Sequence, residues 1–200
     1  MEPTKLSLSN VKAIYAEMNH SAAVTQSGAL YMWGWNNNGQ LGIGSQGFDE
    51  FVSTPTYVTN NVIRVSLGFT HTLILKNRCE MWGCGASLPL TGNMSPMYIT
   101  TPERITGVSG LIEVTDIAAG NGHSIIVMAD NSTCTLWTQG SNSYGQLDNG
   151  KTTTDYKITA ITSIKYAEVA SAGRDSTAVI DYYSNLYSSA ITSTGSWAWA

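Results

Sequence analysis

Charged side chains are scarce in this chain of 200 residues, at 12% of the sequence, about half of the roughly 25% that is usual for soluble domains. The 10 lysines and arginines form no run, so the sequence predicts no binding to nucleic acid, whose backbone requires clustered cations. Polarity comes instead from 59 serines, threonines and asparagines. This composition excludes a charge-rich coiled coil and a charged tail, and it predicts a neutral polar surface.

Long apolar runs and paired cysteines are also missing. No stretch approaches the roughly 18 apolar residues of a membrane span, and the first twenty residues contain no apolar segment typical of a secretion signal. We therefore expect no membrane contact and folding in the cytoplasm. The cysteines, Cys79, Cys84 and Cys134, are odd in number and lack zinc-site spacing, which argues against a disulfide framework and a metal. The Gly-rich loops lack the Gly-Lys-Ser/Thr of a phosphate-binding loop, and we expect no cofactor.

A repeat of about fifty residues runs along the chain. His20, His71 and His123 lie 51 and 52 residues apart, and each precedes Ser or Thr and an apolar stretch. A Trp-bearing segment follows each copy, with the tryptophans Trp33, Trp82 and Trp137. In a weaker fourth copy Asp175 is aligned with the histidines, and Leu186-Tyr187 with Leu-Trp. We predict one domain over 1–200, with repeats at 11–58, 62–105, 114–161 and a degenerate 164–200.

The local patterns indicate β-structure throughout. Short apolar stretches rich in Val, Ile, Thr, Tyr and Trp alternate with clusters of Gly, Asn and Ser, which is typical of strands and turns. No window shows a sustained helical period. Several short strands in each fifty-residue unit predict an all-β fold, a partial or complete β-propeller of about four four-stranded blades.

Two segments point to a family. The first repeat carries LYMWGWNNNGQLGIG and the third LWTQGSNSYGQLDNG, whereas the second lacks the Gly-Gln-Leu triplet. From residue 11 to about 190 the chain resembles the regulator-of-chromosome-condensation repeat. The resemblance implies a propeller, and complete members have seven blades. Four repeats leave three alternatives: a fragment of a larger ring, several chains completing a ring, or an open array covered by a partner.

The histidines and tryptophans allow two interpretations. His20, His71 and His123 suit a metal site or a general base, or equivalent structural positions that each hold a turn through a backbone hydrogen bond. Trp33, Trp82 and Trp137 could stack a ligand or fill the space between blades. We favour the structural role for both sets. Aromatic residues outside the periodic set are the candidate partner contacts, and long loops at 44–53 and 88–98 are where binding is expected. These contacts are Trp35, Phe48, Phe51, Trp197 and Trp199.

Three functions from different classes remain. The favoured one is a non-catalytic protein-interaction or structural module that binds a protein partner or its own copies in a larger assembly, such as a virion decoration, fibre or tail. The alternative, implied by the resemblance alone, is guanine-nucleotide exchange on a small GTPase. The third is a glycan-cleaving enzyme that uses Asp49, Asp116, Asp130 and His123, although no catalytic motif supports it.

Overall fold

The computed structural model describes residues 4–77, 80–86, 98–105, 113–129 and 133–189. These residues form strands, turns and loops, which confirms the all-β prediction. Among them no helix has the length and apolar character needed to cross a membrane. The strands in chain order are β1 (Val11–Glu17), β2 (His20–Thr25), β3 (Leu30–Trp35), β4 (Phe51–Thr59), β5 (Val62–Leu67), β6 (His71–Lys76), β7 (Glu80–Ala86), β8 (Tyr98–Arg104), β9 (Glu113–Ala119), β10 (His123–Ala129), β11 (Cys134–Gly140), β12 (Asp155–Lys165), β13 (Ala167–Ala172), β14 (Thr177–Asp181) and β15 (Leu186–Ser189).

The strands form four antiparallel sheets in chain order, each a blade of a propeller. The first three blades have four strands, β1–β4, β5–β8 and β9–β12, and the described part of the fourth has β13–β15. Every hydrogen-bonded pair joins strands that follow one another in the chain. The predicted array of about four propeller blades is therefore confirmed.

Each blade buries its faces against its neighbours, because a single sheet cannot bury both faces alone. Three apolar clusters lie between successive blades. The first contains Val24 and Leu30 from the first blade with Val65 and Ile74 from the second. Equivalent clusters join the second blade to the third and the third to the fourth. We call the face that packs on the next blade the forward face, and the face that packs on the preceding blade the rear face.

Strand β3 shows how the sequence assigns these faces. Side chains in a strand alternate between faces, and Leu30 and Met32 are buried in the first cluster. Tyr31, Trp33 and Trp35 alternate with them and are half-buried. These three aromatic side chains therefore belong to the rear face of the first blade, where the described residues include no preceding blade.

The strand pairing corrects the alignment of the tryptophans. Ile74 pairs with Trp82 and Ile126 with Trp137, and the equivalent pair in the first blade is Ala23 with Tyr31. The sequence-based grouping of Trp33 with Trp82 and Trp137 is therefore wrong, because Trp33 lies two residues further along its strand. Trp82 packs on the cluster between the first two blades and Trp137 on the next cluster. Leu186-Tyr187 does align with Leu136-Trp137, since Val179 pairs with Tyr187.

The pairing also corrects the fourth histidine position. Ala119 pairs with Ser124, the residue after His123, and Ala172 pairs in the same way with Thr177. The residue equivalent to His123 is therefore Ser176. The repeat spacing predicts Asp175 at the histidine position, but Asp175 is the residue before Ser176. Its carboxylate forms an ion pair with Arg174 at 3.3 Å.

Candidate protein-binding site

The three histidines form one repeated hydrogen bond between blades. The Nε2 atom of His20 lies 3.1 Å from Thr72 Oγ1 in the second blade. His71 Nε2 lies 3.0 Å from Ser124 Oγ in the third, and His123 Nε2 lies 3.3 Å from Thr177 Oγ1 in the fourth. Each imidazole thus joins its own blade to the next one. The sequence predicts a bond from each ring to a backbone turn, and the structure adds a contact from each Nε2 atom to a side-chain hydroxyl group of the next blade.

The Gly-Gln-Leu loops complete two of these contacts. Thr72 Oγ1 donates to the carbonyl oxygen of Gln40 at 2.8 Å, and Thr177 Oγ1 donates to that of Gln146 at 2.7 Å. A hydroxyl group has one proton, so each threonine accepts from the histidine Nε2, which carries the hydrogen. The loop that follows β3 or β11 therefore reaches the next blade and binds the same hydroxyl group as the histidine.

Asparagine and glutamine side chains hold these loops in shape. Asn36 Oδ1 accepts from the backbone N–H of Leu41 at 3.1 Å, and Asn142 Oδ1 accepts from that of Leu147 at 2.9 Å. Their Nδ2 atoms donate to carbonyl oxygens further along each loop, at 2.9 Å in both cases. The Asn-x-x-Gly-Gln-Leu pattern of the sequence is thereby explained as a loop that presents a carbonyl group to the next blade.

The buried histidines are poor candidates for acid–base or metal chemistry. Burial lowers the pKa of His20 and His123 to about 4 and that of His71 to about 3. The rings are neutral at physiological pH, and the Nε2 atoms of His20 and His123 are donors to threonine. Within the described ranges, no group of three histidine, cysteine, aspartate or glutamate residues is arranged to hold a metal ion.

The remaining reactive side chains also lie apart or in structural contacts. Burial raises the pKa of the Cys84 thiol to about 12, and its Sγ lies 3.3 Å from the Gln40 carbonyl oxygen. Asp116 is buried and paired with Arg64, whereas Asp49 is exposed in the loop before β4. Asp130, the other carboxylate of the enzyme hypothesis, lies outside the described residues. The described part of the chain therefore brings no pair of these aspartates together as a catalytic site.

Aromatic side chains gather instead at one end of the first blade. Trp35 and Phe51 are paired across β3 and β4, and Phe51 is 60% exposed. Phe48, three residues before Phe51, is 93% exposed. Met18, in the turn between β1 and β2, is also exposed and was not singled out by the sequence. We call these four residues the aromatic rim.

An open groove of about 480 Å³ lies beside the rim. Trp33, Ser21 and Ala16 of the rear face line it together with Met18, Trp35 and Phe51. In the second blade Cys84 is equivalent to Trp33, and it contacts the Gly-Gln-Leu loop of the preceding blade. The groove is thus the counterpart, on the first blade, of a surface that is filled between the first and second blades.

Trp197 and Trp199 lie outside the described residues, as does most of the loop predicted at 88–98. Of the five predicted partner contacts, the structure brings together Trp35 and Phe51 and places Phe48 in the adjoining loop.

Comparison with known proteins identifies the repeats. A family model described as the regulator of chromosome condensation (RCC1) repeat matches residues 27–75, and a second with the same description matches 114–146. The RCC1 domain-containing protein RUG3, mitochondrial, of Arabidopsis thaliana is 31% identical over 190 residues, which is 86% of this chain and 40% of that protein.

Solved structures agree on the fold. Human WBSCR16 gives a TM-score of 0.77 at 19% identity, over 90% of this chain and 48% of that one. Prp20p of Saccharomyces cerevisiae gives 0.71 at 20% identity, over 94% of this chain and 46% of that one. The chain spans less than half the length of each of these proteins. Two matched repeats and relatives that align with most of the chain show that it belongs to the RCC1-repeat family.

Proposed function

We propose that this chain is a non-catalytic protein-binding module and that the aromatic rim makes the contact. The observation that carries the proposal is the exposure of Phe51 opposite a half-buried Trp35, with an almost fully exposed Phe48 in the adjoining loop. Aromatic residues are enriched at protein interfaces, where a few of them provide most of the binding free energy. The adjoining groove offers a concave surface for a side chain or loop of the partner.

The chemistry of the described residues supports binding rather than catalysis. The three histidines are buried and bonded between blades. The chain has a net charge of −4 and few charged residues, so electrostatic steering of a partner is weak. Affinity is then expected to depend on apolar area at the rim and to change little with salt.

Binding assays on purified proteins test this proposal. The crystal structure of Prp20p was reported with that protein's binding to Gsp1p and histones, so Gsp1p and histones are the first ligands to immobilise. We expect the wild-type chain to bind at least one of them, and the double variant Phe48→Ser, Phe51→Ser to lose about tenfold or more in affinity. Tyr144→Ser is the matched control, because Tyr144 is an exposed aromatic residue in a loop of the third blade. Absence of binding to both ligands, or equal affinity of the variants, contradicts the proposal.

Guanine-nucleotide exchange on a small GTPase is the second candidate function. The similarity in fold to Prp20p, a protein reported to bind Gsp1p, favours it. Since this chain spans only part of Prp20p, the activity itself has to be measured. The assay is release of a fluorescent GDP analogue from Gsp1p and other small GTPases with substoichiometric amounts of the chain.

The two candidates give different results in that assay. Faster release that is lost with the rim double variant supports exchange activity. Binding to a GTPase without faster release supports the binding module alone. If the chain neither binds any of these GTPases nor accelerates nucleotide release from them, small GTPases are excluded as partners.

A further inference from the structure

The rear face of the first blade exposes a position that is buried in every other blade. Ile14 is 78% exposed. The strand pairing makes Val65, Ile117 and Ala170 its equivalents, and these are 2%, 4% and 7% exposed. Each of the three packs in the cluster between its own blade and another. The exposure of Ile14 therefore reflects the lack of a sheet on this face, and not a different position within the blade.

The forward face of the fourth blade shows the same difference. Ile180 is equivalent to Val127, and Leu186 to Leu136. The two residues of the third blade are fully buried, whereas Ile180 is 41% and Leu186 62% exposed. Among the described residues, the first blade thus presents an exposed apolar rear face and the fourth blade an exposed apolar forward face.

We infer that these two faces bind each other between two copies of this chain. Each of the three clusters within the chain joins a forward face to a rear face. The forward face of the fourth blade in one copy has the same type of residues as the forward faces already in contact, and the rear face of the first blade in another copy presents Ile14 and Tyr31. This head-to-tail contact is heterologous, because it joins two different surfaces. Two such contacts between one pair of copies form a closed ring of blades.

The length of related propellers supports a pair of copies. This chain corresponds to 48% of the WBSCR16 chain and 46% of the Prp20p chain at closely similar folds. Two copies therefore match about the length of one of those chains. Both contacts would then be satisfied within the pair, which covers Ile14 and Ile180 of each copy.

The contact between copies is weaker than those within the chain. Its histidine position is Ser176 and its hydroxyl position is Ser21, by the pairing that places His123 and Thr177 together. A serine side chain is too short to make the bond that an imidazole makes. The association is therefore held by apolar packing, and we expect it to be reversible and dependent on concentration.

Sedimentation velocity of the 200-residue chain tests the inference without any partner protein. We expect conversion from one to two copies between about 1 and about 200 μM. Ile14→Lys and Ile180→Lys should each remain monomeric over this range. Tyr144→Lys, which changes an exposed residue off both faces, should associate like the wild type. Both substitutions are at exposed positions, and an unchanged melting temperature verifies folding.

Mixing the two variants gives the decisive result. The Ile14→Lys copy keeps its forward face and the Ile180→Lys copy keeps its rear face, so an equimolar mixture should form a species of two copies with one contact. A chain that stays monomeric at about 200 μM overturns the inference. Pairing of Ile180→Lys with itself also overturns it, because that result indicates two rear faces in contact. The groove beside the aromatic rim lies on this same rear face and includes Ser21, so a second copy and a partner protein compete for it. Since no rim residue is changed, either failure leaves the proposed protein-binding function to its own assay.

Discussion

The side chain of Thr72, in the second blade, joins His20 of the first blade to the backbone carbonyl of Gln40. Its Oγ1 lies 3.1 Å from His20 Nε2 and 2.8 Å from the Gln40 oxygen. His20, Gln40 and Thr72 are all buried, so water cannot take the place of the threonine hydroxyl group as a partner of the imidazole or the carbonyl. One hydroxyl group thus satisfies two polar groups that belong to the preceding blade.

Replacing Thr72 by valine should therefore destabilise the protein. The substitution keeps the shape but leaves the buried N–H of His20 without its partner and the Gln40 carbonyl with only the Cys84 thiol. We therefore expect a loss of about 1–3 kcal/mol in the free energy of unfolding. Urea denaturation measures it. The control is Thr56→Val, because the Thr56 hydroxyl group bonds only an exposed carbonyl oxygen, that of Thr54. Equal stability of the two variants would show that the contact between blades has no net effect.

The buried histidines should make stability fall in acid. Their pKa values in the folded state, about 4 for His20 and His123 and about 3 for His71, lie below the unfolded value of about 6.5. The unfolded chain therefore takes up protons first as the pH falls. The contribution to stability is complete above pH 6.5, and each histidine removes about 1.4 kcal/mol per pH unit below it. This loss ends near pH 4 for two of them and near pH 3 for His71.

Urea denaturation at pH 7 and pH 5 measures this dependence. The wild type should lose stability between the two, and His71→Gln should lose less, since one of the three groups no longer titrates. A variant with the same difference between pH 7 and pH 5 as the wild type would contradict the assignment. His71→Gln is also expected to be less stable at pH 7, so the comparison rests on the difference and not on the absolute value.

Ionisation of Asp148 should lower stability as the pH rises, which is opposite to the effect of the buried histidines. Asp148 is a half-buried carboxylate in the Gly-Gln-Leu loop of the third blade, and burial raises its pKa to about 6. Because the folded value lies above the unfolded one, charging Asp148 costs stability as the pH rises from about 4 to about 6. Asp148→Asn should stabilise the protein by about 1 kcal/mol at pH 7 and have no such effect below pH 4. Asparagine suits the positive φ of 57°, and thermal unfolding at both pH values measures the effect.

Glycine is required at the strand position that pairs with the histidine of each blade, as Gly85 does with His71. Gly85 has a φ of +106°, and a Cβ there would lie 2.3 Å from the Thr70 carbonyl oxygen. That oxygen accepts from the N–H of Ala86, which joins the strand to the turn before His71. Gly85→Ala should lower the free energy of unfolding by about 2 kcal/mol or more. Gly150→Ala is the control, since Gly150 also has a positive φ but has open space around its Cβ position. Similar losses in both would mean that backbone strain alone accounts for the effect.

A histidine at position 176 should strengthen the contact between copies. Gly68 and Gly120 lie against the rings of His71 and His123, and Gly173 lies in the same way against Ser176, so an imidazole has space there. Ser176→His would supply a donor for Ser21 of a second copy. We expect tighter self-association by about fivefold, as for one net hydrogen bond, measured by sedimentation. Adding Ser21→Ala should cancel the gain, and an unchanged dissociation constant in Ser176→His would contradict the proposed orientation.

The sequence predicts the blades well because the repeated motifs have a physical cause. Each histidine, each hydroxyl group after it and each Gly-Gln-Leu loop takes part in the same contact, so their spacing is visible in the chain. Residue counting is less accurate where loop lengths differ: the fourth position lies 53 residues after His123, at Ser176, and not 52. Residue type alone aligns Trp33 with Trp82 and Trp137, whereas counting back from Gly34, which pairs with His20, puts Tyr31 at that position.

The candidate site was only partly visible in the sequence. Trp35, Phe48 and Phe51 stand out as aromatic residues outside the repeat, although nothing in a single sequence indicates that Ile14 is exposed. Its neighbours are those of an ordinary buried strand, and the equivalent residues in three other blades are buried. Exposure of such a residue follows from the number of blades and their order, which becomes apparent only when the sheets are placed side by side.

Asp116 connects three blades through one carboxylate. Its Oδ1 pairs with Arg64 of the second blade, and its Oδ2 accepts from the backbone N–H of Ala170 in the fourth at 2.9 Å. Because both oxygens belong to one carboxylate, a rotation of the second or the fourth blade about the third strains one of these two contacts. Asp116 therefore contributes to the curvature of the array, and that curvature determines whether stacked blades meet in a closed circle or continue as a spiral.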